Sequence, residues 1–405
     1  MGTALKGVRI LDHSRVLSGL FCSMILADLG AEVIKIEASA VSDKPLGGGI
    51  HVYKGQSTHW LGINRNKKSI VLDMETDKGR EIFYELVKKS DVSLDSFSPR
   101  DLERLKINYE TLKKINPRII SASVTAWGST GPYRHRHDMD TVMDTVISAA
   151  IGLMSIQGHP EIPTPPLRAG IATADIAGGM FTAHGILAAL YQRKRTGVGQ
   201  RIDVGMADSV WSMLTRQASL WLIKGYFTGI LNGGHSFPTK DGYVIAVGVG
   251  RSFEEFCKVT GREDFLTDPR FVDAASRQKN QAAFEDILIK EVFPAKTSDE
   301  WVELLIPLHV PCAKVNTIDQ AVGDPQILHR NMIVEIDDGF GDKIKITGKP
   351  IKLSATPEEE AKKFLAPPPP GRHTDEVLSE VLGYSKEQID KLVEEKVVDR
   401  MAEIQ

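Results

Sequence analysis

The residue best placed to do chemistry is a carboxylate, Asp175, in the run Leu167-Arg-Ala-Gly-Ile-Ala-Thr-Ala-Asp-Ile-Ala-Gly-Gly-Met180. Small and apolar residues precede it. Ala177, Gly178 and Gly179 follow it, a pattern that leaves the backbone bare and lets a large ligand approach. Helical periodicity from about Gly178 to Arg195 puts Asp175 at or near a helix N-terminus, where exposed N–H groups and the helix dipole favour an anion. Two roles fit that position: a cap for the helix, or a carboxylate that does chemistry on a large group brought close to it.

The elements that must position it read as alternating strand and helix. Val8–Leu11 suits a buried strand, and a helix from about Phe21 to Leu29 stops at Gly30. Strands are expected at Ala31–Ile36, Ser69–Leu72 and Ile119–Val124, with a helix between Asp77 and Lys89. Strands separated by helices imply crossovers and a mostly parallel sheet covered on both faces. The first turn, Ser14-Arg-Val-Leu-Ser-Gly19, lacks the G-x-G-x-x-G fingerprint of a dinucleotide site. A second helix is expected from about Ala207 to Ile223. The glycine-rich and polar stretch Gly225 to Lys240 reads as a connection between domains. Met332 to Ile346 resembles a hairpin, and Pro367 to Pro370 form an extended strap that cannot be helical.

Composition bounds the function. A chain of 405 residues exceeds one compact core, so two domains are expected. A net charge of -3 gives no reason to expect nucleic acid or an anionic membrane. Cys22, Cys257 and Cys312 are scattered and match neither a metal site nor a disulfide framework. With no signal-peptide pattern and no apolar run of spanning length, a cytoplasmic enzyme is expected.

Taken in order, several segments resemble the family III CoA-transferases, the group that includes formyl-CoA, carnitine and benzylsuccinate CoA-transferases. They are Gly7-Val-Arg-Ile-Leu-Asp12, Leu29-Gly-Ala-Glu-Val-Ile-Lys-Ile-Glu37, Asn66-Lys-Lys-Ser-Ile-Val-Leu-Asp73 and Gly128-Ser-Thr-Gly-Pro132. Gly170 five residues before Asp175, Arg195-Thr-Gly-Val-Gly-Gln200, Asp268-Pro-Arg-Phe271, Val310-Pro-Cys312 and His373-Thr-Asp-Glu-Val-Leu378 continue the series. The resemblance covers almost the whole chain. It implies an α/β fold: a Rossmann-like large domain with a parallel sheet, a smaller α+β domain, and an interlocked dimer. On that reading residues 1–224 and 324–405 build the large domain and its C-terminal strap, and residues 225–323 the small one.

The resemblance also implies the chemistry. Asp175 matches the family's nucleophilic aspartate, which passes CoA from an acyl-CoA donor such as succinyl-CoA to a free carboxylic acid through an aspartyl anhydride and an aspartyl-CoA thioester. The acceptor is expected to be an aromatic or dicarboxylic acid such as benzylsuccinate. No metal and no permanently bound cofactor is required; coenzyme A enters as substrate. CoA contacts are implied at Val16, Leu17, Leu72, Phe97 and Arg104. Five positions depart from the family pattern: Leu20 for proline, Ala38 for a basic residue, Glu75 for lysine, Ser96 for asparagine and Arg100 for glycine. These departures suggest unusual CoA contacts, weakened CoA binding, or a partner chain that supplies part of the pocket, so a homodimer and a heterodimer with a related subunit both stand. Gly248-Val-Gly250 resembles the family's glycine lid. The α-methylacyl-CoA racemases share the fold and give the alternative activity, although their histidine position falls on Met139, with His137 two residues away. His184, inside the long helix, is expected to be packed. Trp127, Trp211, Phe227 and Phe237 are candidates for pocket lining or for ordinary core.

Overall fold

The computed structural model describes residues 3–38, 51–133, 144–157, 165–226, 235–248, 252–338, 341–357 and 363–401. His135, His137, Met139, Phe227, Val249 and Gly250 lie outside that set. The chain forms two compact units, Met1–Phe227 with Asn331–Gln405, and Thr228–Arg330.

The first unit is organised by a seven-stranded sheet. Its strands are β1 (Arg9–Asp12), β2 (Glu32–Glu37), β3 (Lys67–Leu72), β4 (Val92–Asp95), β5 (Ile120–Thr125), β6 (Arg201–Gly205) and β7 (Val398–Asp399). In space they run β7-β3-β2-β1-β4-β5-β6. All neighbours are parallel except β7, which pairs antiparallel with β3. The inner strands are buried on both faces, which is why they read as near-continuous apolar runs. Leu11, Ile34, Ile70 and Phe83 pack on one face; Ile10, Val33, Val92, Ile120 and Ile186 pack on the other.

Strand order fixes where a ligand can bind. The chain leaves β1 for β2 and β3 on one side, then returns to place β4 on the other. Where the winding reverses, the connections after β1 and β4 diverge and open a crevice at the carboxyl ends of the strands. The C-terminal residues reinforce the opposite edge. Asn66 and Leu365 exchange hydrogen bonds, the His373 N–H donates to the Ser69 carbonyl, and Trp60 Nε1 donates to the Pro368 carbonyl in the proline strap.

Helix α1 (Leu17–Asp28) follows β1 directly, and a 24-residue helix from Thr173 to Thr196 lies against it. The long helix begins five residues before the expected Gly178, so Gly178 and Gly179 sit inside it and are buried. They do not bare the backbone for a ligand. A Cβ on Gly179 would lie 2.5 Å from the Ser18 carbonyl oxygen and 3.3 Å from the Cys22 nitrogen; one on Gly178 would lie 3.0 Å from Met206. The glycines let protein approach protein. The expected Ala207–Ile223 helix is two helices, Met206–Met213 and Thr215–Lys224, broken at Leu214. His184 is exposed on the long helix rather than packed in a core.

Beneath the first turn lies a buried polar knot. Asp12, at the end of β1, accepts from the hydroxyls of Ser14 and Ser23 at 2.5 Å each and from Lys67 Nζ at 3.4 Å. Lys67, also fully buried, donates to the Leu20 carbonyl at 3.0 Å and to Asn64 Oδ1 at 2.8 Å. Burial works against the Asp12 carboxylate, but the Lys67 and Lys35 ammonium groups and the two hydroxyls outweigh it and hold its pKa below the usual range. Burial pushes Lys67 down to about 8, against the pull of Asp12.

The second unit carries a three-stranded antiparallel sheet, Cys312–Lys314, Tyr243–Ala246 and His235–Pro238. Its core is aromatic: Phe237 stacks on Phe293 at 4.2 Å, with Phe256, Phe265, Phe271, Phe284 and Trp301 around them. Phe237 is therefore core, not pocket lining. All three cysteines are free.

Two outcomes follow. Gly179→Ala should lower unfolding free energy by about 1–3 kcal/mol, because the close contact is with main chain. Asp12→Asn and Lys67→Met should each cost about 3–5 kcal/mol, since each strands a buried charge. The double variant should lose less than the sum. Urea midpoints at constant m-value check both.

Candidate active site

A cavity of about 790 Å³ occupies the crevice between the ends of β1 and β4. The turn after β1 contributes His13 to Leu17, and the turn after β4 contributes Ser96 to Ser98. Asp175 lines it, together with Asp144, Arg168 and Met206.

Asp175 is the third residue of the long helix and is partly buried. It does not cap that helix. The N-cap is Ala172, without a side-chain bond; the buried Ala174 N–H donates instead to Asp144 Oδ1 at 2.6 Å. Asp144 stands on the neighbouring helix Asp144–Ala150 and is itself buried. Asp175 turns away from its own helix and accepts from the Ser18 N–H, in the first turn of α1, at 3.3 Å. Val16, the N-cap of α1, supplies no side-chain bond, so this carboxylate meets a helix end that needs one. The close approach permitted by Gly179, against the carbonyl of the same Ser18, makes the contact possible.

Burial, and then the like charge of Asp144, raise Asp175 to about 6; Ser18 and Arg168 pull the other way. Its carboxylate is thus ionised at neutral pH yet poorly solvated. Arg168 Nη2 lies 3.6 Å from Asp144 Oδ2, and the Arg168 side chain is half exposed.

Val16, Leu17, Leu72 and Phe97 all line the cavity. Arg104 does not. It closes a short helix, Pro99–Arg104, and its guanidinium pairs with Glu75 and, at 3.1 Å, with Asp101. Both of those carboxylates line the cavity, so acid rather than base faces it there. Reading the sequence missed Arg15, although it adjoins Val16. Its guanidinium carbon lies 4.6 Å from the Phe97 ring centroid, and the Arg15 backbone N–H donates to Ser96 Oγ at 2.9 Å. Lys35 was missed as well. Buried, it donates to the Ser14 carbonyl at 2.9 Å and pairs with Glu37 at 3.5 Å. Strand alternation gave no sign that Lys35 points inward. The aromatic walls are Trp60 and Phe97; Trp127 and Trp211 line no part of the cavity. Ala38 presents only a methyl group where a basic residue was expected. His13 bonds Ser93 Oγ through Nε2 at 2.9 Å, and burial pushes it down to about 3, so it stays neutral.

Among the described residues no cluster of three or more His, Cys, Asp or Glu side chains is arranged to hold a metal ion. None of their helices is long and apolar enough to cross a membrane.

Comparison with known proteins places this geometry. The family model for CoA-transferase family III matches residues 5–374. The succinyl-CoA:glutarate CoA-transferase of Mus musculus is 35% identical over 98% of this chain and 90% of its own length. The succinyl-CoA–D-citramalate CoA-transferase of Chloroflexus aurantiacus is 32% identical over 97% of this chain and 98% of its own. The crystal structure of a CaiB/BaiF family protein from Brucella suis superposes with a TM-score of 0.82 at 29% identity, covering 94% of this chain and 100% of that one.

Asp144→Asn should lower the Asp175 pKa from about 6 toward the ordinary carboxylate range, because it removes the like charge while an amide oxygen keeps the Ala174 bond. Infrared titration of the carboxylate, differenced against Asp175→Asn, reads the shift. A linked effect falls on stability. With its pKa raised from 3.8 to about 6, Asp175 holds its proton more tightly when folded, so stability falls as pH rises through that window. Asp175→Asn should therefore stabilise the protein by about 1–3 kcal/mol at pH 7, and by little below pH 4.

Proposed function

The chain belongs to CoA-transferase family III, and from that premise we propose that Asp175 is the nucleophile that carries acyl groups between CoA and free carboxylic acids. The observation that carries this reading is the carboxylate at the cavity wall, held through one oxygen by the Ser18 N–H and not spent on its own helix.

Exchange of one thioester for another needs little driving force; the task is to keep activated acyl groups from water. Asp175 attacks the donor thioester carbonyl, and the tetrahedral intermediate collapses to a mixed anhydride with expulsion of CoA thiolate. The thiolate attacks the aspartyl carbonyl, releasing the donor acid as its carboxylate and leaving aspartyl-CoA. The acceptor carboxylate attacks that thioester and expels the thiolate again, forming a second anhydride. The thiolate then takes the acceptor acyl group, and Asp175 returns as a free carboxylate. No net proton is consumed. Poor solvation makes the Asp175 oxygen more nucleophilic than an ordinary aspartate, and a pKa of about 6 leaves it largely ionised at neutral pH. The N-terminus of α1 supplies a fixed dipole for charge that develops on the Asp175 oxygens.

Val16, Leu17, Leu72 and Phe97 form the apolar wall for CoA, and Arg15, stacked on Phe97, supplies a cation at its rim. Arg104 joins them only by exchanging Glu75 and Asp101 for a CoA phosphate. Donor and acceptor are taken as succinyl-CoA and an aromatic or dicarboxylic acid such as benzylsuccinate; the names of the mouse and Chloroflexus relatives favour a dicarboxylate. The working form is a dimer, with a second copy or a related chain. The exposed run Trp221, Leu222 and Ile223, at 59%, 72% and 76% accessibility, is apolar surface that such a partner would cover.

Protein incubated with acyl-CoA and hydroxylamine should carry a hydroxamate on the peptide containing Asp175 and on no other, read by mass spectrometry. Asp175→Ala should lose transfer by about 10⁴-fold or more. Unimpaired turnover in that variant overturns the mechanism.

A further inference from the structure

Arginines that serve only the fold have a recognisable setting in this chain. Arg65 is buried, 2.7 Å from Asp28 Oδ2, with a second bond to Oδ1 at 3.0 Å and a third to the Thr347 carbonyl at 2.6 Å. Arg193 is likewise buried, with Asp91 at 2.6 Å and the Arg118 carbonyl at 2.9 Å.

Arg168 is placed differently. It lines the same cavity wall as Asp175, is 51% exposed, and stands 3.6 Å from Asp144, beyond hydrogen-bond reach. Among the described residues Asp144 is its one ion-pair partner, and no hydrogen bond holds the guanidinium. Its N–H fork is thus open to a planar anion in a cavity that also holds the reacting carboxylate. A second constraint points the same way. Asp175 and Asp144 give this part of the wall two carboxylates, so an acid that brings a second negative charge is repelled unless a cation receives it. A monocarboxylic acid, whose one carboxylate is the reacting group, needs no such partner.

We propose that Arg168 is the specificity-determining residue for the acid: it binds the non-reacting carboxylate of a dicarboxylic acid in a bidentate pair, and so selects dicarboxylates over monocarboxylates of equal length. The inference rests on the transferase reading given above and names the group that would read the substrate. Asp144 has two effects in this arrangement. It caps the helix that carries Asp175, and it competes weakly for the guanidinium, which keeps Arg168 in place without saturating it.

The test uses acetyl-CoA as donor, so that only the acceptor brings a second carboxylate. Acceptors are matched by length: succinate against butyrate and glutarate against valerate. Exchange of labelled succinate into succinyl-CoA is measured in parallel and reports the transferase reaction itself. The full-length protein should prefer the dicarboxylate of each pair in kcat/KM. Arg168→Gln should reduce that preference about ten- to a hundredfold, mainly through the KM of the dicarboxylate, the range expected for a lost charge-assisted bidentate contact. Arg168→Lys, which keeps the charge but loses the fork, should retain part of it. Asp144→Asn, which removes the competitor, should increase it. The proposal is overturned if the preference is absent in the unmodified protein. It is equally overturned if Arg168→Gln lowers transfer to both members of a pair by the same factor, the signature of a purely structural role through Asp144. Absence of succinate exchange in the unmodified protein, by contrast, would remove the transferase reading on which the proposal stands.

Discussion

The Asp12–Lys67 pair is the constraint from which the site is built. Two charged groups with no solvent exposure sit under the first turn of the sheet, satisfied by Ser14, Ser23, Asn64 and the Leu20 carbonyl. A pair of this kind contributes little net stability over a well-packed apolar one, but removing either partner is costly. What it fixes is geometry. It ties the end of β1, the first two turns of α1 and the start of β3 to one another, and Lys35 adds a grip on the Ser14 carbonyl. The Ser18 N–H therefore points to one place, and that place is Asp175.

The second requirement is closeness. A carboxylate on one helix can meet the N-terminus of another only where their backbones nearly touch, and Gly179 against the Ser18 carbonyl provides that approach. The long helix would then lack a cap for its own first turn if Asp175 were drawn away. Asp144 fills that need from a neighbouring helix and, by its charge, raises the Asp175 pKa. One substitution of roles thus yields both a free carboxylate and a basic one. The energetic cost falls on folding, a trade commonly seen where a carboxylate stays ionised in poor solvent.

Much of this was legible in the chain. The alternating rhythm of strands and helices gave the parallel sheet, because strands buried on both faces leave continuous apolar runs that no other element explains as well. Asp175 was visible as an acid among small residues at a helix start, a setting that suits a plain cap as well; the ordered family resemblance along the chain, not the local pattern, singled it out. The role of Gly178 and Gly179 was misread. A glycine pair reports only that something comes close, and the sequence does not say whether that is a ligand or another helix. Arg104 was misplaced for a related reason: the acid at Glu75, 29 positions away, captures it, and such a pairing is invisible to a reading along the chain. Arg15, Lys35, Asp144 and Arg168 depend in the same way on which turns the strand order brings together.

That dependence bears on how this fold varies its chemistry. Asp175, the helix end it meets and the buried pair beneath them are held by a close backbone contact and by the burial of the Asp12–Lys67 pair, so they tolerate little change. The walls facing the crevice are side chains on the turns after β1 and β4 and on the segment before the long helix, and these are free to differ. Glu75 and Ala38 alter the charge of one wall without touching the Asp12–Lys67 knot, and Arg168 alters the other without displacing the Ala172 N-cap. The lining of the cavity can thus vary independently of Asp175. For the same reason, the changes at Glu75 and Ala38 leave the Asp175–Ser18 contact as it is.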